Sequence, residues 1–96
     1  MQISIAQIDC VLDNQIDNQN KILRYIVKAA LQESDLVVFP EMADTGYDMS
    51  TIQEHAKPWN ETSFLQSLRS QAYENNIAVI CGLAERNGNK TYNSVV

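Results

Sequence analysis

Apolar positions along the first half of the chain form two short runs separated by a helical stripe. Residues 2–9 run or alternate between apolar and polar, as a β-strand does, and a second apolar run covers Leu36–Phe39. Between them, apolar residues recur every three or four positions, which predicts a helix with one buried face, capped by Asp17 or Asn18. The stripe consists of Ile22, Leu23, Ile26, Val27, Ala30 and Leu31.

The second half begins with a long irregular stretch and returns to helical spacing. Residues 42–59 contain Gly46 and Pro58, and only a short helical turn is expected there, at Thr51–His55. A second helix should begin near Asn60 or Thr62. Its predicted buried side carries Phe64, Leu65, Leu68 and Ala72.

The pattern in the last third of the chain predicts two strands joined by a turn. An apolar run over Ile77–Leu83 predicts a third strand. Residues 86–89 predict a hairpin turn, because Asn-Gly supplies the positive φ angles of a tight turn, and residues 91–96 should return antiparallel. The element order predicts an α/β protein with right-handed crossovers, in which helices pack on a layered sheet.

Composition limits the class of protein. The chain has 96 residues, enough for one small domain, and a net charge of −5. Without a cluster of Lys and Arg, neither a nucleic acid nor an anionic membrane is expected as a partner. No apolar run is long enough to span a bilayer. Two cysteines are too few for a disulfide scaffold, so a reduced, cytoplasmic setting is expected.

One acidic residue occupies a position suited to chemistry. Glu41 follows Phe39-Pro40, and Pro40 should end the strand because it cannot donate a hydrogen bond to a neighbouring strand. Ligands of open α/β sheets bind at the carboxyl ends of the strands. A Thr-Gly-Tyr turn, residues 45–47, comes shortly afterwards. Glu41 is therefore the first candidate for a catalytic acid or base.

With these motifs the chain resembles the nitrilase-like carbon–nitrogen hydrolases, a superfamily of nitrilases, aliphatic amidases, carbamoylases and related amide hydrolases. The likeness lies in the order and spacing of several segments along the whole chain. They are Ile3-Ser4-Ile5-Ala6-Gln7, Asn20-Lys21-Ile22, Asp35-Leu36-Val37-Val38-Phe39-Pro40-Glu41, Thr45-Gly46-Tyr47, Gly82-Leu83-Ala84-Glu85-Arg86 and Tyr92-Asn93-Ser94.

The resemblance implies a fold and a reaction. The fold would be the N-terminal part of a four-layer α-β-β-α sandwich, and residues 1–96 would be the first segment of a single domain that continues beyond residue 96. Glu41 would be the base of a Glu-Lys-Cys triad that hydrolyses an amide or nitrile, without metal or cofactor. That task suits a carboxylate whose pKa is raised by burial. The segment alone should be inactive, and the full-length protein should form homo-oligomers.

Several other residues are candidates for the same site. Tyr47 is a candidate for substrate binding, through its hydroxyl or its ring. Glu85, placed just after a strand like Glu41, is expected to support the site by pairing with Arg86 or a neighbouring loop. Lys90 lies on the hairpin turn, where a solvated lysine is expected. His55 is the only histidine, so no metal site is expected around it.

The cysteines are expected to be structural. Cys81 lies near the end of a strand, where a thiolate beside Glu41 would make a plausible dyad. It shares strand parity with Ile77 and Val79, however, which places it on a packed face. Because free cysteine is among the most buried residue types, Cys81 is predicted to lie in the core, and Cys10 likewise.

Two alternative functions remain open from the sequence. Asp9 and Glu41 both end strands, and two carboxylates at one sheet edge could hold Mg²⁺ or Mn²⁺ in a metal-dependent hydrolase. The chain could also be a small non-catalytic α/β binding module in which Glu41 merely ends a strand.

Overall fold

A computed structural model describes residues 1–59 and 63–96. The expected start of the second helix, at Asn60 or Thr62, lies outside these residues. The elements along the chain are β1 (Ile3–Ile5), α1 (Gln15–Leu31), β2 (Leu36–Val38), α2 (Ile52–His55), α3 (Ser63–Glu74), β3 (Ala78–Ile80), β4 (Gly82–Asn87) and β5 (Lys90–Val95). Within the described residues, no helix is both long and apolar enough to cross a membrane.

Strands β1, β2 and β3 form a parallel sheet in that order. Helices α1 and α3 cover one face of it, where Val37 is almost fully buried. The central members of this core are Ile22, Ile26, Phe39, Phe64, Leu65, Leu68, Ile77 and Leu83. The other face carries apolar side chains that are partly or largely exposed, Ile5 and Ile80 among them. This arrangement confirms the predicted α/β architecture.

Helix α1 begins earlier than predicted. Asn14 caps it, because its side-chain oxygen accepts a hydrogen bond from the backbone N–H of Asp17 at 3.3 Å. The prediction of Asp17 or Asn18 as the cap was therefore wrong. Asn18 is instead a fully buried residue within the helix. Its side-chain oxygen accepts a hydrogen bond from the Val11 N–H, and its side-chain amide donates one to the Val11 carbonyl. The predicted apolar stripe is buried at Ile22 and Ile26, whereas Leu31 at its end is exposed.

The predicted third strand is in fact two strands in two sheets. The parallel sheet ends with β3 at Ile80, and β4 pairs antiparallel with β5. Cys81 lies between them and exchanges two backbone hydrogen bonds of 3.0 Å with Val96. A continuous apolar run does not show this break, because residues 77–84 are apolar or glycine on both sides of it and the change of sheet is set by strand pairing.

The hairpin turn is shorter than predicted. Asn87 pairs with Lys90 as the last pair of the β4–β5 hairpin, which leaves Gly88 and Asn89 as the turn. Gly88 has φ = 64°, the positive value expected at the first central position of a type II′ turn. Residues 86 and 87 thus belong to the strand.

Candidate active site

Glu41 lies where the sequence predicts it, just past the carboxyl end of the central strand. The Phe39 N–H donates to the carbonyl of Ile80 at 2.8 Å, which continues the pairing of β2 with β3 by one residue. Pro40 has no N–H to extend it further. The buried Phe39 side chain anchors the end of the strand, and the Glu41 side chain projects into solvent.

Two donors converge on one oxygen of the Glu41 carboxylate. The Tyr47 hydroxyl and the Asn93 side-chain amide, the latter at 3.1 Å, both donate to Oε2. In the described part of the chain, no hydrogen bond reaches Oε1. One oxygen is thus held in place while the other is open to a reacting group.

These donors favour the ionised form of Glu41. The hydrogen bond from Tyr47, and secondarily that from Asn93, lowers the pKa of its carboxyl group. The expectation of a pKa raised by burial was wrong, because the side chain is exposed and both of its partners stabilise the ionised form. An exposed glutamate is already ionised at neutral pH, and these donors strengthen that preference for the state from which a general base starts.

A glycine brings the second sheet against the backbone of Glu41. The Gly82 N–H donates to the carbonyl of Pro40 at 3.3 Å, and the Ala43 N–H donates to the carbonyl of Gly82 at 2.8 Å. A Cβ at residue 82 would lie 2.5 Å from the Glu41 Cα and 2.8 Å from the Pro40 oxygen. Only glycine therefore allows this approach.

The segment from Glu41 to Tyr47, called the Glu41 loop below, is a tight turn that returns Tyr47 to the carboxylate. The Gly46 N–H donates to the carbonyl of Met42 at 2.7 Å. Met42 and Gly46 have φ angles of 48° and 70°, in the left-handed region. Glycine is favoured at residue 46 by this positive φ, and a Cβ there would also have to displace the end of the Leu12 side chain, whose Cδ2 would lie 2.9 Å away.

Asp44, inside this loop, was not singled out from the sequence. Its side chain accepts hydrogen bonds from Gln15 Nε2 at 3.0 Å and from the Ala84 N–H at 3.2 Å. Its backbone carbonyl accepts from Asn18 Nδ2 at 3.0 Å. From the sequence, an acidic residue in a loop is expected to be exposed to solvent. Only the tertiary fold shows that Asp44 is 4% exposed.

Asn93 was also missed as a site residue. It belongs to the motif Tyr92-Asn93-Ser94, and it lies 52 positions from the carboxylate it contacts. The pairing of β5 with β4, which matches Asn93 with Ala84, carries it to Glu41. That strand pairing is a long-range consequence of the fold.

The other candidates lie outside this hydrogen-bond cluster. Glu85 accepts a hydrogen bond from the Ser94 hydroxyl at 2.9 Å, across the β4–β5 hairpin, whereas the expected partner was Arg86 or a neighbouring loop. Lys90 is exposed beside the turn, as predicted. His55 pairs with Asp13, with 2.8 Å between Nε2 and Oδ1, and so joins α2 to the segment before α1.

The described side chains form no metal-binding cluster. Among residues 1–59 and 63–96, no three His, Cys, Asp or Glu side chains are grouped closely enough to hold an ion. Asp9, the partner suggested for Glu41 in a metal site, is exposed after β1, where its carbonyl accepts a hydrogen bond from Lys21. The arrangement therefore gives no support to the metal-dependent alternative.

Both cysteines are free thiols. Cys81 is fully buried, as predicted, and burial raises its pKa to about 12. Cys10 is half-buried against the core, and burial raises its thiol pKa as well. A thiol that stays protonated at neutral pH is a poor nucleophile, so the structure favours a structural role for Cys81.

We expect Cys81 to be protected from modification. In the native full-length protein, iodoacetamide should label Cys81 far more slowly than Cys10, and both should react at similar rates in denaturant. Cys81→Ala should cost on the order of 1 kcal/mol of stability and leave turnover nearly unchanged. Peptide mass mapping and thermal melts check both points. A folded Cys81→Ala variant without activity would instead make Cys81 part of the catalytic machinery.

A cleft of about 330 Å³ opens beside the Glu41 contacts. Tyr47 and Asn93 both line it. The remaining lining is largely apolar and comes from Met42, Met49, Ile52, Gln53, Thr91 and Tyr92. Its volume lies at the small end of the range for small-molecule sites.

Comparison with known proteins identifies the family. The sequence profile described as carbon-nitrogen hydrolase matches residues 2–96. A curated relative, a nitrilase from Pyrococcus abyssi, is 34% identical over 84 residues, which cover 82% of this chain and 31% of that protein.

Solved structures show the same fold. A CN-hydrolase superfamily protein from Xanthomonas campestris matches 97% of this chain and 34% of its own, with a TM-score of 0.81 and 20% identity. An amidase from Nesterenkonia sp. matches 94% of this chain and 33% of its own, with a TM-score of 0.75 and 23% identity. The chain spans about a third of the length of these relatives. Since the family profile matches nearly every residue, the chain belongs to the carbon–nitrogen hydrolase family.

Proposed function

We propose that the full-length protein hydrolyses a non-peptide carbon–nitrogen bond, in an amide or a nitrile, with Glu41 as the general base. The observation that carries this proposal is the geometry of the Glu41 carboxylate. It is fixed through Oε2 by Tyr47 and Asn93, while Oε1 is open. Family membership supports the same reaction.

In this mechanism Glu41 moves protons for a cysteine nucleophile. It takes the proton of the cysteine thiol, and the thiolate attacks the carbonyl carbon of the amide to give a tetrahedral intermediate. Collapse of the intermediate breaks the C–N bond, and Glu41 returns the proton to the leaving amine. A water molecule then gives its proton to Glu41 and attacks the thioester, and the released thiolate recovers that proton.

The other two members of the triad are proposed to lie beyond residue 96. The positive charge of the lysine would stabilise the oxyanion of each tetrahedral intermediate. Neither Lys90, which is exposed beside the hairpin turn, nor the buried Cys81 is suited to these roles. No metal or cofactor takes part in the proposed reaction.

Tyr47 is proposed to contact the substrate through its ring. Its hydroxyl is engaged with Glu41, and Tyr47 lines the 330 Å³ cleft. An apolar wall beside the carboxylate would hold the non-reacting part of a small amide or nitrile by burying its hydrocarbon surface.

The rest of the molecule is proposed to cover the open face of the parallel sheet. Ile3, Ile5 and Ile80 lie there with a substantial part of their surface exposed. Within a domain that continues past residue 96, a second sheet packed on this face would bury them and complete a four-layer α-β-β-α sandwich. Assembly of full-length copies into homo-oligomers is part of the same proposal.

The test is ammonia release by the full-length protein from a panel of short amides and nitriles, before and after treatment with EDTA. We expect turnover of at least one amide or nitrile, unchanged by the chelator. Loss of turnover with EDTA and recovery with Mg²⁺ or Mn²⁺ would favour the metal-dependent alternative. No turnover of any member by a folded protein would favour a binding module.

A further inference from the structure

Asp44 is a buried acid that the proposed mechanism does not use. Burial raises the pKa of its carboxyl group, while hydrogen bonds from Gln15 and from backbone amides lower it. Burying a carboxylate costs free energy unless its oxygens are satisfied. Here both oxygens are engaged, Oδ2 with the side chain of Gln15 in α1 and Oδ1 with the Ala84 N–H in β4. Asp44 thus joins the Glu41 loop to two other elements.

The hydrogen bond from the Ala84 N–H to Asp44 satisfies a backbone donor on the edge of β4 that faces away from β5. In β4, the backbone N–H and C=O groups of every second residue point away from β5. The first of them, Gly82, donates its N–H to the carbonyl of Pro40 and accepts a hydrogen bond from the Ala43 N–H. The third, Arg86, donates its N–H to the carbonyl of Lys57 at 3.1 Å. Between them, the Asp44 carboxylate supplies the acceptor for Ala84, where a neighbouring strand would supply a carbonyl. Asp44 therefore fixes, together with the two backbone hydrogen bonds of Gly82, how far along β4 the loop lies.

This position along β4 determines both contacts to Glu41. Ala84 is paired with Asn93 across the β4–β5 hairpin, so the residue held by Asp44 lies opposite one of the two donors. The other donor, Tyr47, ends the loop that contains Asp44. A slip of the loop along β4 would move Tyr47 and Asn93 relative to each other, and they would no longer meet at one oxygen.

We infer that Asp44 is a positioning residue: by binding the Ala84 N–H, it aligns the Glu41 loop with the β4–β5 hairpin, so that Tyr47 and Asn93 meet at Oε2 and Oε1 stays free for the proton. This inference rests on the proposed function of Glu41. The geometry carries it, because the contacts that link Gln15, Asp44, Ala84, Asn93 and Glu41 all lie within the described residues.

The test is a double-mutant cycle in the full-length enzyme, with Asp44→Ala, Asn93→Ala and the double variant. Asp44→Ala should lower kcat by about tenfold or more with a smaller change in KM, since a misplaced base slows the chemical step. The double variant should be about as slow as Asp44→Ala alone, because both changes disturb the same contact. Asp44→Asn should recover most of the lost kcat. Its carbonyl accepts from Ala84, and its amide donates to a rotated Gln15.

Additive effects of Asp44→Ala and Asn93→Ala on kcat would overturn the inference and leave Asp44 a residue of general stability. Should Asp44→Ala fail to fold, Gln15→Ala replaces it in the cycle, because it removes the side-chain donor to Oδ2 together with one longer hydrogen bond, of 3.3 Å, to the carbonyl of His55. The same criterion applies. Glu41→Gln, measured alongside, distinguishes a failure of the inference about Asp44 from a failure of the proposed function. Wild-type turnover in Glu41→Gln overturns the function itself, whereas an inactive Glu41→Gln with an additive cycle overturns only the role of Asp44.

Discussion

Glu41→Gln should lower kcat/KM of the full-length enzyme by about a hundredfold or more, the scale that general-base catalysis supplies. The glutamine carbonyl can still accept hydrogen bonds from Tyr47 and Asn93, but it cannot take up the proton of the thiol. The fold should survive, because the side chain is exposed and lies outside the core. Turnover and the melting temperature measured on one preparation check both statements.

Glu74→Gln is the matched control for this substitution. It makes the same chemical change at an exposed position at the end of α3, outside the hydrogen-bond cluster of Glu41. Its turnover should equal that of the wild type. If Glu41→Gln melts normally and also turns over substrate at the wild-type rate, Glu41 is an ordinary carboxylate at the end of a strand, and the proposed function is wrong.

Gly82→Ala should damage both stability and activity. The added Cβ would lie 2.5 Å from the Glu41 Cα, and the atoms it meets belong to the backbone, which cannot rotate away as a side chain can. We expect a loss of about 1–3 kcal/mol of stability, as is typical of overpacking. Because the strain is relieved by moving Glu41, kcat/KM should fall by about tenfold or more.

Gly88→Ala separates this local effect from the general cost of replacing a glycine. A Cβ at Gly88 meets no atom within 4 Å, but its φ of 64° disfavours alanine by about 1 kcal/mol. This control should therefore melt earlier than the wild type and keep its kcat/KM. Wild-type activity in a folded Gly82→Ala variant would show that the placement of Glu41 does not depend on the contact with β4.

The parts of the site that were predicted from the sequence are those set by local signals. Pro40 ends the strand whichever strands lie beside it, because it has no N–H to donate. The position of Glu41 at the strand end therefore follows from its neighbours in sequence. Helix α1 follows from the spacing of residues such as Ile22 and Ile26, which are fully buried. The fold class, predicted from a resemblance spread along the chain, is confirmed by the solved structures that match it.

The parts that were missed depend on contacts between distant segments. Cys81 separates two strands although its neighbours form one unbroken apolar run, because the change of sheet is set by the pairing with Val96. Asn93 and Asp44 reach the site through the pairing of β4 with β5 and through a backbone amide of β4. The pKa of Glu41 was predicted in the wrong direction, because its hydrogen-bond donors come from that same tertiary arrangement.

The measurement that tests the central claim most directly is acid-quenched mass spectrometry of the full-length enzyme mixed with an amide substrate. Wild-type enzyme should gain the mass of the acyl group on a cysteine outside residues 1–96, and Glu41→Gln should form this adduct about a hundredfold more slowly or not at all. Equal rates of adduct formation in the two proteins, or an adduct on Cys10 or Cys81, would contradict the account of Glu41 as the base that activates a cysteine elsewhere in the enzyme.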